Sequence, residues 1–197
     1  MRLLLGLGNP GPEYLHTRHN VGFLFTDFLA SRQGISLKRE GKWEAEVGRG
    51  ALWSQPVLLA KPLTFMNRSG LAAARIANFY RLEPSQLVVF HDELDLPFGS
   101  CRVAKGRGAG GHNGIRSLME HLGSRDFVRF RIGVGRPRGE LPAAGYVLSP
   151  FAPSERDRLE QLFLFLEEGV QLLLQRDEKA AMNLINASPA WPIEKGL

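Results

Sequence analysis

The strongest constraint in this sequence is a set of short apolar runs that stop abruptly at polar or glycine-rich residues. Residues 2–7 (RLLLGL) are closed by Gly8-Asn9-Pro10-Gly11, and residues 86–90 (QLVVF) run straight into His91-Asp92. Runs this short, bounded by turn residues, predict buried strands. Between them the pattern switches to helical spacing. Residues 21–32 place Phe25, Phe28 and Leu29 on one face ahead of Gly34, and residues 69–81 are rich in Ala and Leu up to Pro84. Residues 43–47, 57–60 and 100–104 read as further strands. Residues 129–135 (RFRIGVG) alternate basic and apolar side chains as a half-buried strand would. A helix is expected near 113–122, and apolar positions recur at helical spacing from Pro153 to Arg176. Strands alternating with helices predict an α/β fold: a three-layer sandwich with a mixed, mostly parallel sheet flanked by helices. One domain over 1–197 is expected, with C-terminal helices at about 153–188.

Composition narrows the function classes. Apolar residues make up 44% and charged residues 23%, as in ordinary globular proteins, and the net charge of +5 favours an anionic partner. Cys101 is the only cysteine, which excludes an intrachain disulfide and a cysteine-based zinc site and suits a reducing cytoplasm. The apolar run Leu3–Leu7 is too short for a signal peptide, so neither a targeting segment nor a membrane span is expected.

In open α/β sheets, sites gather beyond the carboxyl ends of the strands. Four stretches end strands with unusual polar residues: Asn9, "FMN" (Phe65, Met66, Asn67), His91-Asp92, and the glycine-rich "KGRGAGGHNG". They are expected along one edge. Gly6, Gly8 and Gly11 fit the G-x-G-x-x-G fingerprint, but a dinucleotide loop needs a helix starting at its third glycine. Here polar residues continue to Asn20, and only a helix beginning at Pro12 would favour the cofactor reading. His19 paired with Asp92 is the better candidate, with the carboxylate fixing the imidazole tautomer and the other nitrogen acting as base. No G-x-S-x-G elbow is present and Cys101 lies in a strand-like run, so the nucleophile is expected to be water. Asn9, Asn67 and Asn113 could read a peptide group or stabilise an oxyanion, or could simply serve turns and a helix cap. "HDELD" matches no standard metal spacing, and no metal is expected. Basic residues from Arg102 to Arg138 interleave with glycines and suit phosphate or a nucleic-acid backbone, or form a solvated face.

Taken together, "GLGNPGPEYLHTRHNVGF", "KPLTFMNRSG", "HDELDLPFG", "GAGGHNGIRSL", "FRIGVGRP" and "GYVLSPF" closely resemble the bacterial peptidyl-tRNA hydrolase family, in order over about residues 3–151. The resemblance implies hydrolysis of the ester between a peptide and the 3′ ribose of tRNA, without metal or cofactor, by a cytoplasmic monomer with no membrane partner. It implies His19 as the base, Asp92 as its support, and Asn9 as the residue separating N-blocked from free aminoacyl esters. Tyr14, Phe65, Met66, Asn67 and Asn113 match positions lining the peptide and 3′-end cleft. Lys105, Arg107 and Arg131 are the candidates for a clamp on the tRNA phosphate. Two alternatives remain at this point: an RNA-binding relative without turnover, and a dinucleotide-binding enzyme.

Overall fold

A computed structural model of the chain describes residues 1–137 and 141–188. Seven strands form one sheet: β1 (Arg2–Gly6), β2 (Lys38–Glu40), β3 (Ala45–Leu52), β4 (Gln55–Pro62), β5 (Leu87–Glu93), β6 (Cys101–Lys105) and β7 (Val128–Gly133). Their order is β2-β3-β4-β1-β5-β7-β6. The central four, β4, β1, β5 and β7, are parallel, while β2, β3 and β6 pair antiparallel at the margins. The helices are α1 (Val21–Arg32), α2 (Ser69–Tyr80), α3 (Asn113–Leu122), α4 (Ala143–Val147), α5 (Pro153–Gln175) and α6 (Glu178–Ala187). No helix among the described residues is long and apolar enough to cross a membrane.

The uninterrupted apolar runs follow from burial on both faces. Successive strand residues point to opposite sides. Leu4, Val88 and Phe90 therefore join Phe25 of α1 and Phe163 of α5 in one core, while Leu3, Leu5, Leu87 and Val89 join Ile76 of α2 and Ile115 of α3 in the other. Phe25 meets Phe90 edge-on at 4.8 Å. Each such fully buried side chain contributes about 1.5–3 kcal/mol.

Two glycines set the height of α1 above the sheet. A Cβ on Gly6 would lie 2.3 Å from the Gly22 carbonyl oxygen, and one on Gly22 would lie 2.3 Å from that of Phe90. The helix start thus rests on the backbones of β1 and β5, placing residues 18–20 directly above the carboxyl end of β5. Asn186 of α6 covers the open edge of β6, accepting from the Val103 amide at 2.7 Å and donating to its carbonyl at 3.0 Å.

Three expectations change. The glycine-rich loop does not leave the same edge as the other three strand ends. Because β6 runs antiparallel to β7, with Lys105 opposite Val128, the loop starts at the far edge and climbs back to reach the site. A helix does begin at Pro12, but it is a single 3₁₀ turn, Pro12–Tyr14. Gly11 there has φ +118°, and a Cβ on it would meet the Glu13 carboxylate at 2.6 Å. An acidic group thus occupies the place where a pyrophosphate would need amides, and α1 starts only at Val21. Finally, β7 is not half-buried. As an inner strand between β5 and β6 it buries Arg129 as well as Phe130.

Candidate active site

The carboxyl ends of β1, β4 and β5 carry the site, and each functional side chain is held by a neighbour. Asn9 follows β1. Its amide N–H donates to Asn20 Oδ1 at 2.9 Å, and its carbonyl accepts from Asn20 Nδ2 at 2.9 Å. Its own Oδ1 accepts from the Met66 amide at 2.8 Å. That bond needs an acceptor, so the side-chain oxygen is committed and Nδ2 is what Asn9 offers to a ligand.

His19 lies in a 3₁₀ turn, Arg18–Asn20, that leads into α1. Its Nδ1 is 2.8 Å from Asp92 Oδ1. An ionised carboxylate only accepts, so Nδ1 carries the proton and Nε2 is left as a base. Asp92 is 3% exposed at the end of β5. Burial alone would raise its carboxyl, but the imidazoles of His112 and His19 outweigh that and hold it well below the usual carboxylate range.

His112 is the residue that sequence reasoning missed. Its Nε2 donates to the same Asp92 oxygen at 2.9 Å, while its Nδ1 caps α3, accepting from the amides of Gly114 at 3.1 Å and Ile115 at 3.3 Å. With Nδ1 accepting from two amides and Nε2 donating to Asp92, both ring nitrogens of His112 are committed and neither is offered to the cleft as a second base. The cap, one of the two roles open to Asn113, is thus made by its predecessor. Asn113 opens the helix exposed, with its Oδ1 3.3 Å from Arg116 Nη1. The available signal was "GGHNG" itself, a histidine placed where a helix begins.

"HDELD" disperses rather than converging. His91 is fully enclosed and donates from Nδ1 to the Asp92 carbonyl at 2.7 Å, and burial, with His112 alongside, pushes its basicity well down. Glu93 holds Arg131 at 2.8 Å, and Asp95 holds Arg136 through Nε at 2.9 Å. Among the described residues the group with the composition of a metal site is His19, Asp92 and His112, with ligand atoms within 4.8 Å of one another. In the arrangement described, two imidazole N–H groups point at one carboxylate oxygen.

These residues line a cleft of about 660 Å³, with Asn9, His19, Phe65, Met66 and Asn67 on one side, Asn113 and Gly110-Gly111 on another, and α4 (Ala143, Ala144, Val147) closing it. Phe65 is 57% exposed, an apolar ring presented to the cleft. Tyr14 sits in the 3₁₀ turn, half-buried, and is not among the lining residues. Among the described residues the lining contains no Ser, Thr, Cys or Lys. Cys101 is buried in β6, where burial pushes its thiol up, out of reach as a nucleophile.

A second cavity of about 500 Å³ adjoins the first and shares Glu93 and Gly110 with it. It is lined by Arg102, Arg107, Arg129 and Arg131. Arg129 is 2% exposed and donates from Nη1 to the Gly108 carbonyl at 2.9 Å, while its buried Nε and Nη2 have no partner among the described residues. Lys105 does not line this cavity. At the far end of β6 it is paired with Glu178 at 2.9 Å and Asp126 at 3.3 Å. Arg138 lies outside the described residues.

Comparison with known proteins places the chain in one family. The family model described as peptidyl-tRNA hydrolase matches residues 3–192. The chain is 46% identical over 184 residues to a peptidyl-tRNA hydrolase of Rhodococcus opacus, covering 93% of this chain and 97% of that one. It is 45% identical over 186 residues to one of Syntrophotalea carbinolica, covering 94% and 97%. The crystal structure of peptidyl-tRNA hydrolase from Acinetobacter baumannii superposes with a TM-score of 0.91 at 39% identity, covering 97% of both chains. With a match over nearly its whole length, and a fold and sheet in common with a solved member, this chain belongs to the peptidyl-tRNA hydrolase family.

Proposed function

We propose that this chain hydrolyses the ester joining an N-blocked aminoacyl or peptidyl group to the 3′ ribose of tRNA, releasing free tRNA. The observation that carries the reading is the His19–Asp92 pair, with no partner for Nε2 of His19 among the described residues, in a cleft lined by amide side chains and, among those residues, by no Ser, Thr, Cys or Lys. The lining carboxylates Glu93 and Asp95 are paired with Arg131 and Arg136, and the base beside them activates water as the acyl acceptor.

The steps follow from the groups present. His19 Nε2 takes a proton from water as the oxygen attacks the ester carbonyl, and Asp92 steadies the imidazolium that forms. The carbonyl oxygen becomes an oxyanion, which amide donors such as those of Asn67 and Asn113 stabilise. The tetrahedral intermediate then expels the ribose oxygen, which takes the proton back from His19. Asn9 selects the substrate through Nδ2. An N-acylated ester presents a carbonyl oxygen that accepts this N–H, whereas a free aminoacyl ester presents an ammonium that only donates. Mismatching donor to donor leaves both unpaired in a partly dry site, which discriminates strongly.

Arg107 and Arg131 are the clamp residues that the second cavity supports for the tRNA phosphate, and Arg129 adds two guanidinium nitrogens without a partner among the described residues beside them. Lys105 is less suited, being engaged by two carboxylates. The single cysteine supports a reducing, cytoplasmic setting.

The test compares release from an N-acetylated aminoacyl-tRNA and from its free-amine counterpart, with and without a chelator. Release of the blocked ester alone, unchanged by the chelator, is expected. Tight tRNA binding without ester release would establish a non-catalytic RNA-binding relative instead.

A further inference from the structure

Residue 18, next to the catalytic histidine, is an arginine withdrawn from solvent, at 7% exposed. Its guanidinium bonds to residues beyond the cleft lining. Nη1 donates to Ser149 Oγ at 2.8 Å and to the Pro150 carbonyl, Nη2 pairs with Glu155 Oε2 at 2.6 Å, and the plane lies over the Tyr146 ring at 4.4 Å. The backbone repeats the connection: the Arg18 amide donates to the Ser149 carbonyl at 3.1 Å, and Phe151 N–H donates to the His16 carbonyl at 3.1 Å. Residues 16–18 and 149–151 therefore run as a short two-stranded strap, bridged at Thr17 and Pro150.

What this strap carries is α4, the wall that supplies Ala143, Ala144 and Val147 to the cleft, with Leu148 just beyond it. At five residues α4 is too short to hold itself in place. Beyond the strap, its side-chain hydrogen bond to the body runs from Tyr146 Oη to the Val134 carbonyl at 2.8 Å, and Tyr146 is the ring under Arg18. Glu155 also accepts from the Ala152 amide at 2.7 Å, so the same carboxylate anchors the start of α5.

We propose that Arg18 is a positioning residue that locks the α4 wall to the loop bearing His19, and so fixes the width of the cleft that receives the acyl group. It touches neither substrate nor the reacting proton. A fork of N–H donors stacked on an aromatic ring is something lysine cannot reproduce, so arginine is required. The proposal rests on the reading that the acyl group lies in this cleft, and predicts an effect on substrate binding rather than on proton transfer.

The test uses Arg18→Lys, which keeps a charge for Glu155, and Arg18→Met, which does not. For release from N-acetyl-aminoacyl-tRNA, both variants should raise KM about tenfold or more, with kcat within about twofold and the pH–rate midpoint unmoved. Hydrogen exchange should rise in residues 143–151 and stay at wild-type levels in β1 and β5. Wild-type KM in Arg18→Lys, a fall in kcat at unchanged KM, a moved pH midpoint, or an exchange increase spread through the central strands would each overturn the proposal. If Arg18→Met fails to fold, the lysine variant alone decides. Exchange at 143–151 reads the strap without reference to turnover, so an inactive wild type would refute the proposed function and leave this measurement standing.

Discussion

Asn20 holds Asn9 from both sides, accepting its backbone N–H and donating to its backbone carbonyl, each at 2.9 Å. The side chain of Asn20 thus completes a two-bond ring that fixes a loop residue as firmly as a strand pairing would. Both residues are more than nine-tenths buried, so each lost bond leaves an unpaired group in a dry place, costing about 1–3 kcal/mol. Asn20→Asp places a carboxylate oxygen against the Asn9 carbonyl and should loosen Asn9 without touching substrate. Expected is a fall in kcat/KM for the blocked ester of about tenfold or more, converting such a loss at about 1.4 kcal/mol per decade. Equal kinetics for Asn20→Asp and wild type would show that Asn9 needs no such support.

Asn9 itself gives a sharper test. Asn9→Asp keeps an oxygen for the Met66 amide, the bond at 2.8 Å, and replaces the Nδ2 donor with a second oxygen. The variant should lose activity on the N-acetylated ester, because the acyl carbonyl meets an acceptor. It should tolerate the free ammonium better than wild type does. The ratio of blocked to free release should therefore drop by about two decades, the range expected when a hydrogen-bonding site is offered the wrong partner. Parallel loss on both substrates would place Asn9 in the chemistry and not in selection.

The fold was largely legible in the sequence, and the parts that were not share a physical reason. The bounds expected for α1 and α3 are those observed: both begin after a polar turn, and α3 carries a clear apolar face while α1 is buried on most of its sides. The strand β5 extends the expected run through Asp92 to Glu93. His19 and Asp92 meet as expected, since the 3₁₀ turn that bears His19 lies against the end of β5 that bears Asp92. What pattern alone did not give was tertiary in origin. "RFRIG" alternates like a strand with one wet face, yet β7 is an inner strand and Arg129 faces a cavity. The direction of β6 leaves no trace in its residues, so the climb of the glycine-rich loop and the distance of Lys105 from the second cavity could not be read. The helix α4 and the strand β2 are too short for periodicity to register. His112 was hidden because a ring that caps a helix with one nitrogen and serves a carboxylate with the other shows only when both partners are in place.

Asp92 links activity to stability. Asp92→Asn keeps the shape but can present N–H to the imidazole donors, leaving His19 in the wrong tautomer. Turnover should fall roughly 10³–10⁴-fold, with tRNA affinity retained. The carboxyl is held down by His112 and His19 against the opposing effect of burial. A carboxyl depressed on folding adds stability that is fully present above its unfolded value of about 4 and is lost as pH falls below it. The gap in denaturation midpoint between wild type and Asp92→Asn should therefore be widest above about pH 5 and shrink toward about pH 3. A gap that stays constant across that range would mean that the carboxylate is not charged in the folded protein.

Arg129 offers the opposite trade. Its guanidinium is buried with Nε and Nη2 unpaired, and burial together with the neighbouring Arg131 lowers its affinity for its proton. Such a group costs the folded protein several kcal/mol of desolvation that a single bond to the Gly108 carbonyl does not recover. A cation kept at that cost is explained if a phosphate completes its partners in the second cavity. Arg129→Met fills a similar volume without the charge, so its thermal midpoint should rise. Its affinity for tRNA should fall, and the slope of log affinity against log salt should become shallower by about one. Release from a minimal N-blocked ester lacking the tRNA body should be unaffected, since His19 and Asp92 are untouched. Calorimetry and a salt titration of tRNA binding measure the two effects separately. A variant that is stabilised yet binds tRNA with an unchanged salt slope would remove Arg129 from the phosphate site and leave that role to Arg107 and Arg131.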